Sequence, residues 1–223
     1  MPYDLIGFAS VTIGVEDVGA AARQFAALGF SVRPLEGTEA EIALGNARLL
    51  LSQAAPAGFG RVGLSSRNLA ASREALGAKI DAPGLEVDLI DAITVSPASL
   101  HANGAVALAS LTAVVENPEA TMPAYDRLFG AFAATPTDDM VTVHGCGPML
   151  FLVNEDGFDH LHSNLKSRIP AAPALAALAL AVADLDGAET YLREAGIGIS
   201  RHGPSLSIAP SACFGLGLEL VAA

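Results

Sequence analysis

The sequence predicts an α+β fold built from repeats of one small βαβββ module. Two observations carry that expectation. Three segments, "SVTIGVEDVGAAARQFAALGF" from Ser10, "SLTAVVENPEATMPAYDRLFG" from Ser110 and "ALALAVADLDGAETYLREAGI" from Ala177, align on a turn residue (Asp17, Asn117, Asp184). Each then closes on a glycine (Gly29, Gly130, Gly196) twelve, thirteen and twelve residues later. The second observation is that each helix-like stretch follows a strand-like one and precedes short strand-like pieces, a self-similarity that marks repeat architecture.

In the first module, Val11 to Gly14 alternate as a strand, Asp17 accepts hydrogen bonds from the first unpaired helix amides, and Gly29 permits the left-handed stop. Ala22, Phe25, Ala26 and Leu28 are expected to face inward at helical spacing. Strands follow in "FSVRPL", "AEIAL" and "ARLLLSQ". The second module, "RVGLSSRNLAASREALGAKI" from Arg61, reaches Gly77 only nine residues after Asn68, so its helix is about a turn shorter. Its strands are expected in "LEVDLI" and "AITVSP". The third module has "MVTVHG" and "MLFLVN"; the fourth has "IGISRH", "LSIAP" and "LGLELVAA". One helix covers one face of a small sheet, so modules should pair and leave a curved mixed sheet surface between them. "SPASLHANGA", Ser96 to Ala105, reads as the connection, giving an amino-terminal pair over 1–103 and a carboxy-terminal pair over 104–223.

Composition narrows the function classes. The 223 residues are 52% hydrophobic and 16% charged with mean hydropathy +0.45, which points to a packed core rather than disorder. A net charge of -12 repels phosphate backbones and anionic membranes, so nucleic acid and membrane surfaces are not expected partners. The most apolar run, Ala171 to Ala183, contains a proline and is too short to span a bilayer. The amino terminus lacks a secretory signal, and the expected location is the cytoplasm. Cys146 and Cys213 have no Cys-x-x-Cys spacing and read as reduced, buried thiols.

The βαβββ pattern, with Asp opening the helix and Leu-Gly-Phe closing it in "VEDVGAAARQFAALGF", resembles the vicinal oxygen chelate superfamily of glyoxalases, extradiol dioxygenases and bleomycin resistance proteins. "LHANGAVALASLTAVVENPEATMPAYDRLFG" with "LALAVADLDGAETYLREAGI" is most similar to its glyoxalase-like branch. The resemblance implies two domains of paired modules, a small-molecule pocket in a sheet cup, and a homodimer as one arrangement of the paired edges. It also implies a divalent metal (zinc, nickel, manganese or iron) held by His or Gln on a first strand and Glu on a last strand. Such an ion, with open positions, holds two neighbouring substrate oxygens and stabilises an enolate or activates oxygen.

The residues themselves support no such metal. At the first-strand position, seven before the turn residue, stand Ser10, Arg61, Ser110 and Ala177. At the last-strand position only Glu219 matches; Leu50 and Phe151 fill its counterparts. No metal site and no cofactor are therefore expected from the donors present. Leu216, Leu218 and Leu220 alternate, which sends Glu219 to the cup face. A carboxylate in an apolar hollow holds its proton more tightly and can act as a general base beside a carbonyl; the alternative is a solvated strand residue. Ser10 and Ser110 are read as polar fillers or as substrate hydrogen-bond partners, and Phe151 as a ligand-binding wall. His144 is either a pocket residue or a polar turn residue. His160 and His162 are expected in an exposed loop, His202 facing solvent, His101 fixing the link by hydrogen bonds, and Asn103 before Gly104 making a turn. "GFGRVG" and "GLGLE" lack the following helix of a dinucleotide fingerprint.

The resulting functional expectation is a glyoxalase-like lyase or isomerase of a small oxygenated substrate, without the usual metal histidines, with Glu219 as base and Ser110, His144, Ser10 and Phe151 as ligand contacts. The alternative is a metal-free protein that sequesters a small molecule, the role of the resistance members.

Overall fold

Four helices begin where the sequence places a capping side chain. Asp17 Oδ1 accepts from the Ala20 amide at 2.9 Å and opens α1 (Val18–Ala27). Asn68 accepts from Ala71 at 3.2 Å for α2 (Leu69–Leu76), and Asn117 from Ala120 at 3.2 Å for α3 (Pro118–Phe129). Asp184 caps Asp186 and Gly187 ahead of α5 (Leu185–Glu194). One further helix, α4 (Glu155–Leu161), is capped by Asn154 on Gly157 at 2.8 Å and was not expected. The computed structural model describes residues 2–77, 79–92, 100–165 and 170–223.

The strands are β1 (Leu5–Gly14), β2 (Arg33–Pro34), β3 (Glu39–Ala43), β4 (Arg48–Ser52), β5 (Gly58–Ser66), β6 (Val87–Asp91) and β7 (Ala105–Val114). They continue as β8 (Ala134–Thr137), β9 (Met140–Val143), β10 (Met149–Val153), β11 (Ala174–Val182), β12 (Ile199–His202), β13 (Ser205–Ile208) and β14 (Gly217–Ala222). They form a six-stranded sheet of order β2-β3-β4-β1-β5-β6 and an eight-stranded sheet of order β12-β13-β14-β11-β7-β10-β9-β8. The fold is α+β with two mixed sheets, as expected. Within modules the last strand runs parallel to the first: β6 with β5, β10 with β7, β14 with β11. The intervening strands are antiparallel hairpins, β2–β3, β8–β9 and β12–β13. In the second module no strand lies between Gly77 and β6 among the described residues, so 79–86 run as turn and loop where the other modules have a hairpin. The strand expected over 92–97 falls mainly outside the described residues. In the third module β8 is an additional strand that the sequence did not announce, because it is short and carries Pro136.

By backbone contacts the chain gathers into two compact units, each built from three stretches. The first comprises Met1–Ser10, Arg61–Thr94 and Ser110–Ala176. In it the Phe8 and Phe129 rings meet edge to face at 5.7 Å, and the Phe8 amide donates to Cys146 O at 2.7 Å. The segment that replaces the missing hairpin packs here. Tyr125 Oη donates to Pro83 O at 2.7 Å, Arg127 pairs with Asp81, and Gly84 lies so close to Val115, Ala113 and Leu152 that a Cβ would stand 2.8 Å from Val115.

The second unit comprises Val11–Gly60, Val95–Ala109 and Ala177–Ala223. Its α1 buries Ala21 and Phe25, with Leu28 beyond its end, at i, i+4, i+7 spacing; Ala22 is half-buried and Ala26 exposed, so the inward stripe is rotated from the expected one. Phe25 stacks on Phe214 at 6.3 Å. The link residues dock beside this helix. His101 Nδ1 accepts from the Ser31 amide at 2.9 Å, which leaves Nε2 to donate to Ala43 O at 3.0 Å. Its ring meets Phe30 edge-on at 5.6 Å. Asn103 Nδ2 donates to Leu28 O at 2.9 Å while its Oδ1 accepts from Ala105 at 3.0 Å. The His101 contacts match the linking role read for it; Asn103, read as a turn residue, also ties the link to Leu28. Burial pushes the His101 pKa below its ordinary value, with the Ala43 hydrogen bond opposing. Among the described residues no helix is long and apolar enough to cross a membrane.

Candidate functional site

Parallel pairing of β14 with β11 sets Leu218 beside Leu178 and Leu220 beside Leu180, all buried. Arg201 on β12, opposite Leu206 on β13 and through it Leu220, reaches Asp186 and Glu189 of α5, so the leucine face is the helix face. Glu219 therefore points the other way, as its alternation predicted. It stands beside Ala179 on β11 and Ser207 on β13, and Ser207 Oγ donates to Glu219 Oε1 at 2.8 Å. Glu219 is only 8% exposed and Ser207 4%, so the solvated alternative for Glu219 does not hold. The rest of this face carries Ala177 and Ala181 on β11, Gly217 and Val221 on β14, Ser205 on β13, and Ser200 and His202 on β12. Ala177, Ala179, Ala181, Gly217, Ser207 and Glu219 are all buried, so this patch is covered rather than open to solvent.

In the first unit, β10 pairs with β7 so that Met149 stands by Ser110 and Phe151 by Thr112. Leu111, Ala113 and Leu152 point to the opposite face. Ser110 is buried and Phe151 half-buried. What covers Thr112 is His162, whose Nε2 shares a hydrogen bond of 2.9 Å with Thr112 Oγ1. His162 ends α4, is 4% exposed, and its ring lies 4.8 Å from Phe158. The expected exposed loop is thus corrected for His162: the helix after β10 folds its apolar side, Phe158 included, against the sheet. His160, one helical step away, is exposed, 3.5 Å from Asp139.

His144 is exposed in the turn after β9, where its amide donates to Ala133 O; this is the turn placement, not the pocket placement. His202 is exposed on β12. Ser10 is buried on β1 against Gly63, where a Cβ would stand 2.1 Å from its Oγ. Arg61 pairs with Asp88 at 3.0 Å and, more loosely, with Glu86; the Asp88 hydrogen bond, foremost, raises its pKa.

These donors do not fit a divalent ion. The first-strand positions hold two serines, an arginine engaged by aspartate, and an alanine, and the last-strand positions hold one carboxylate. Among the described residues no three His, Cys, Asp or Glu side chains gather as a metal group would. Structural metal sites need three or four donors of fixed geometry. The two thiols offer none: burial pushes Cys146 and Cys213 up to about 12.

No family model matches the chain, and no curated protein matches it. Solved structures do. The Mn(II)-bound glyoxalase from Novosphingobium aromaticivorans superposes with TM-score 0.70 at 16% identity, over 98% of this chain and 82% of that one. A mutant homoprotocatechuate 2,3-dioxygenase from Brevibacterium fuscum gives TM-score 0.71 at 14% identity, over 99% and 72%. A xylose isomerase-like TIM barrel/4-hydroxyphenylpyruvate dioxygenase fusion protein gives 0.61 at 12%, over 98% of this chain but 49% of its own, so the chain spans about half of that protein. The chain has the vicinal oxygen chelate fold. At these identities the likeness is one of fold, and the site must speak for the chemistry.

Proposed function

We propose that the chain binds a small oxygenated molecule without a metal, on the face of β11, β13 and β14 that carries Glu219. One observation carries this reading. The single carboxylate that matches the superfamily's terminal ligand is buried and accepts from Ser207 among alanines, and among the described residues it belongs to no group of three or more His, Cys, Asp or Glu side chains. A buried carboxylate of this kind orients a ligand by accepting a hydrogen bond from its hydroxyl.

The burial of Glu219 favours a second reading, a lyase or isomerase in which the same carboxylate takes a proton from carbon beside a carbonyl. That step also needs a positioned electrophile for the developing enolate. The serine beside Glu219 is engaged as a donor to the carboxylate itself, and this weighs for binding over turnover.

The test is elemental analysis of protein purified without chelator or histidine tag, joined to thermal unfolding with catechol and related hydroxy-aromatics. The expected result is no stoichiometric divalent metal, with stabilisation by a ligand that weakens in Glu219→Gln. At a ligand concentration one hundred times Kd the stabilisation is about 2.7 kcal/mol. A stoichiometric metal that disappears in Glu219→Ala overturns the reading. Solvent deuterium entering hydroxyacetone with the wild type but not with Glu219→Gln replaces it with the second.

A further inference from the structure

The first unit holds an open cavity of about 150 Å³ between α2, α3 and the short 3-10 turn Pro2–Asp4. Its floor is Ile80 with Ala124 and Leu128 of α3, all buried. Tyr3, Lys79, Asp81 and Arg127 stand exposed at its mouth, beside Ala75 of α2. The space exists because both helices present alanine to it, Ala75 from one and Ala124 from the other. Its walls are tied to one another: Ser72 Oγ donates to Tyr3 O, the Arg67 amide donates to Asp4 O at 3.0 Å, and Arg127 pairs with Asp81. Tyr3 takes φ 63° and Asp4 φ 53°, a left-handed region that residues other than glycine rarely adopt. The two bonds from α2 and its approach hold the Tyr3 ring at the mouth against that preference, 37% exposed.

A space of roughly 150 Å³ takes one benzene-sized ring. The floor is apolar, and the mouth is not neutral. Arg127 and Asp81 cancel, while Lys79 pairs with no carboxylate among the described residues, so the lining carries one positive charge. The charged groups next to the lining on the same segments, Asp4 and Glu74 against Arg67 and Arg73, cancel as well, and Asp126 is turned to the Ala134 amide. Lys79 carries its ammonium on a flexible stem with three rotatable donors, which can swing to an acceptor at the mouth. An apolar floor under one open ammonium suits a ring that bears a single negative charge. A neutral ring would leave the ammonium unused, and an acid without a ring would leave the floor wet.

We propose that this cavity binds a small aromatic monocarboxylate, its ring on Ile80 and Leu128 and its carboxylate accepting from Lys79 Nζ. The site shares no residue with the Glu219 face and holds whether or not that face binds anything.

The probe is benzoate, titrated calorimetrically and by NMR of δ1-methyl-labelled isoleucine in the full wild-type chain. Saturable binding that shifts the Ile80 methyl signal is expected, with benzyl alcohol and acetate both weaker. Lys79→Gln removes the charge at an exposed position, so benzoate weakens about 3- to 10-fold while benzyl alcohol is unaffected. Ala75→Leu fills the space from an exposed helix position, where leucine is also a good helix former, and abolishes the Ile80 shift. Arg193→Gln, on the exposed surface of α5, leaves binding unchanged. If a variant fails to fold, the wild-type comparison of the three probes decides alone. Benzoate that leaves the Ile80 signal unmoved, binds no more tightly than benzyl alcohol or acetate, or binds Lys79→Gln or Ala75→Leu as tightly as the wild type overturns the proposal.

Discussion

Replacing His101 with alanine tests whether the link is anchored by side-chain chemistry or merely by chain connectivity. The variant removes the acceptor of the Ser31 amide, the donor to Ala43 O and the edge contact with Phe30. Two hydrogen bonds at about 0.5–1.5 kcal/mol each and an aromatic contact of similar size put the loss at roughly 1.5–4.5 kcal/mol. The pH dependence is the sharper part. Protonating Nδ1 would set two donors against each other, so the folded chain favours neutral imidazole, and burial lowers the pKa. A base depressed on folding contributes fully above its unfolded pKa of about 6.5 and loses that contribution as pH falls through the folded value. Urea unfolding of wild type and variant at pH 7.5 and in steps below 6.5 should show their stability difference shrinking with pH. The carboxylates titrate in both proteins and cancel. A difference below about 0.5 kcal/mol at pH 7.5, the range of inconsequential surface substitutions, or one that grows as pH falls, refutes the account.

Two further outcomes follow from packing. Gly63→Ala places a Cβ 2.1 Å from Ser10 Oγ and 2.7 Å from Ile90 Cδ1, and overpacking of this kind costs about 1–3 kcal/mol; Ser10→Gly in the same chain should recover much of it in denaturant unfolding. Equal loss in the single and double variants would mean that Ser10 is not the obstruction. With thiol pKa values pushed up to about 12, native Cys146 and Cys213 should resist disulfide-exchange reagents at pH 8 and react promptly in guanidinium chloride. Prompt labelling of the native chain would show that at least one is accessible.

The repeat was legible because its signals are local. Asp17, Asn68, Asn117 and Asp184 cap helices through amides two or three residues on, chemistry contained in a few consecutive letters. Glu219 was legible by alternation, since one strand suffices to assign its face. What stayed hidden depends on other strands. In "AEIAL" Glu41 looks like any solvated strand carboxylate, and only the register with β2 and β4 shows that Arg33 and Arg48 bury it. His162 sits among polar letters that read as loop, and its burial against Thr112 is decided by where α4 folds back. An Asn followed by Glu-Asp-Gly-Phe was the available sign of that helix.

The short stretch that stands in for the second module's hairpin has a consequence for how the chain can be rebuilt. With no strand among its described residues, 79–86 form a wedge seated on its neighbour: Pro83 receives Tyr125, Asp81 receives Arg127, and Gly84 fits where no side chain would. The four modules share a pattern of letters but are no longer interchangeable parts. A chain shuffled so that a full-length module took the second place would bring a hairpin into space that the third module's core already occupies.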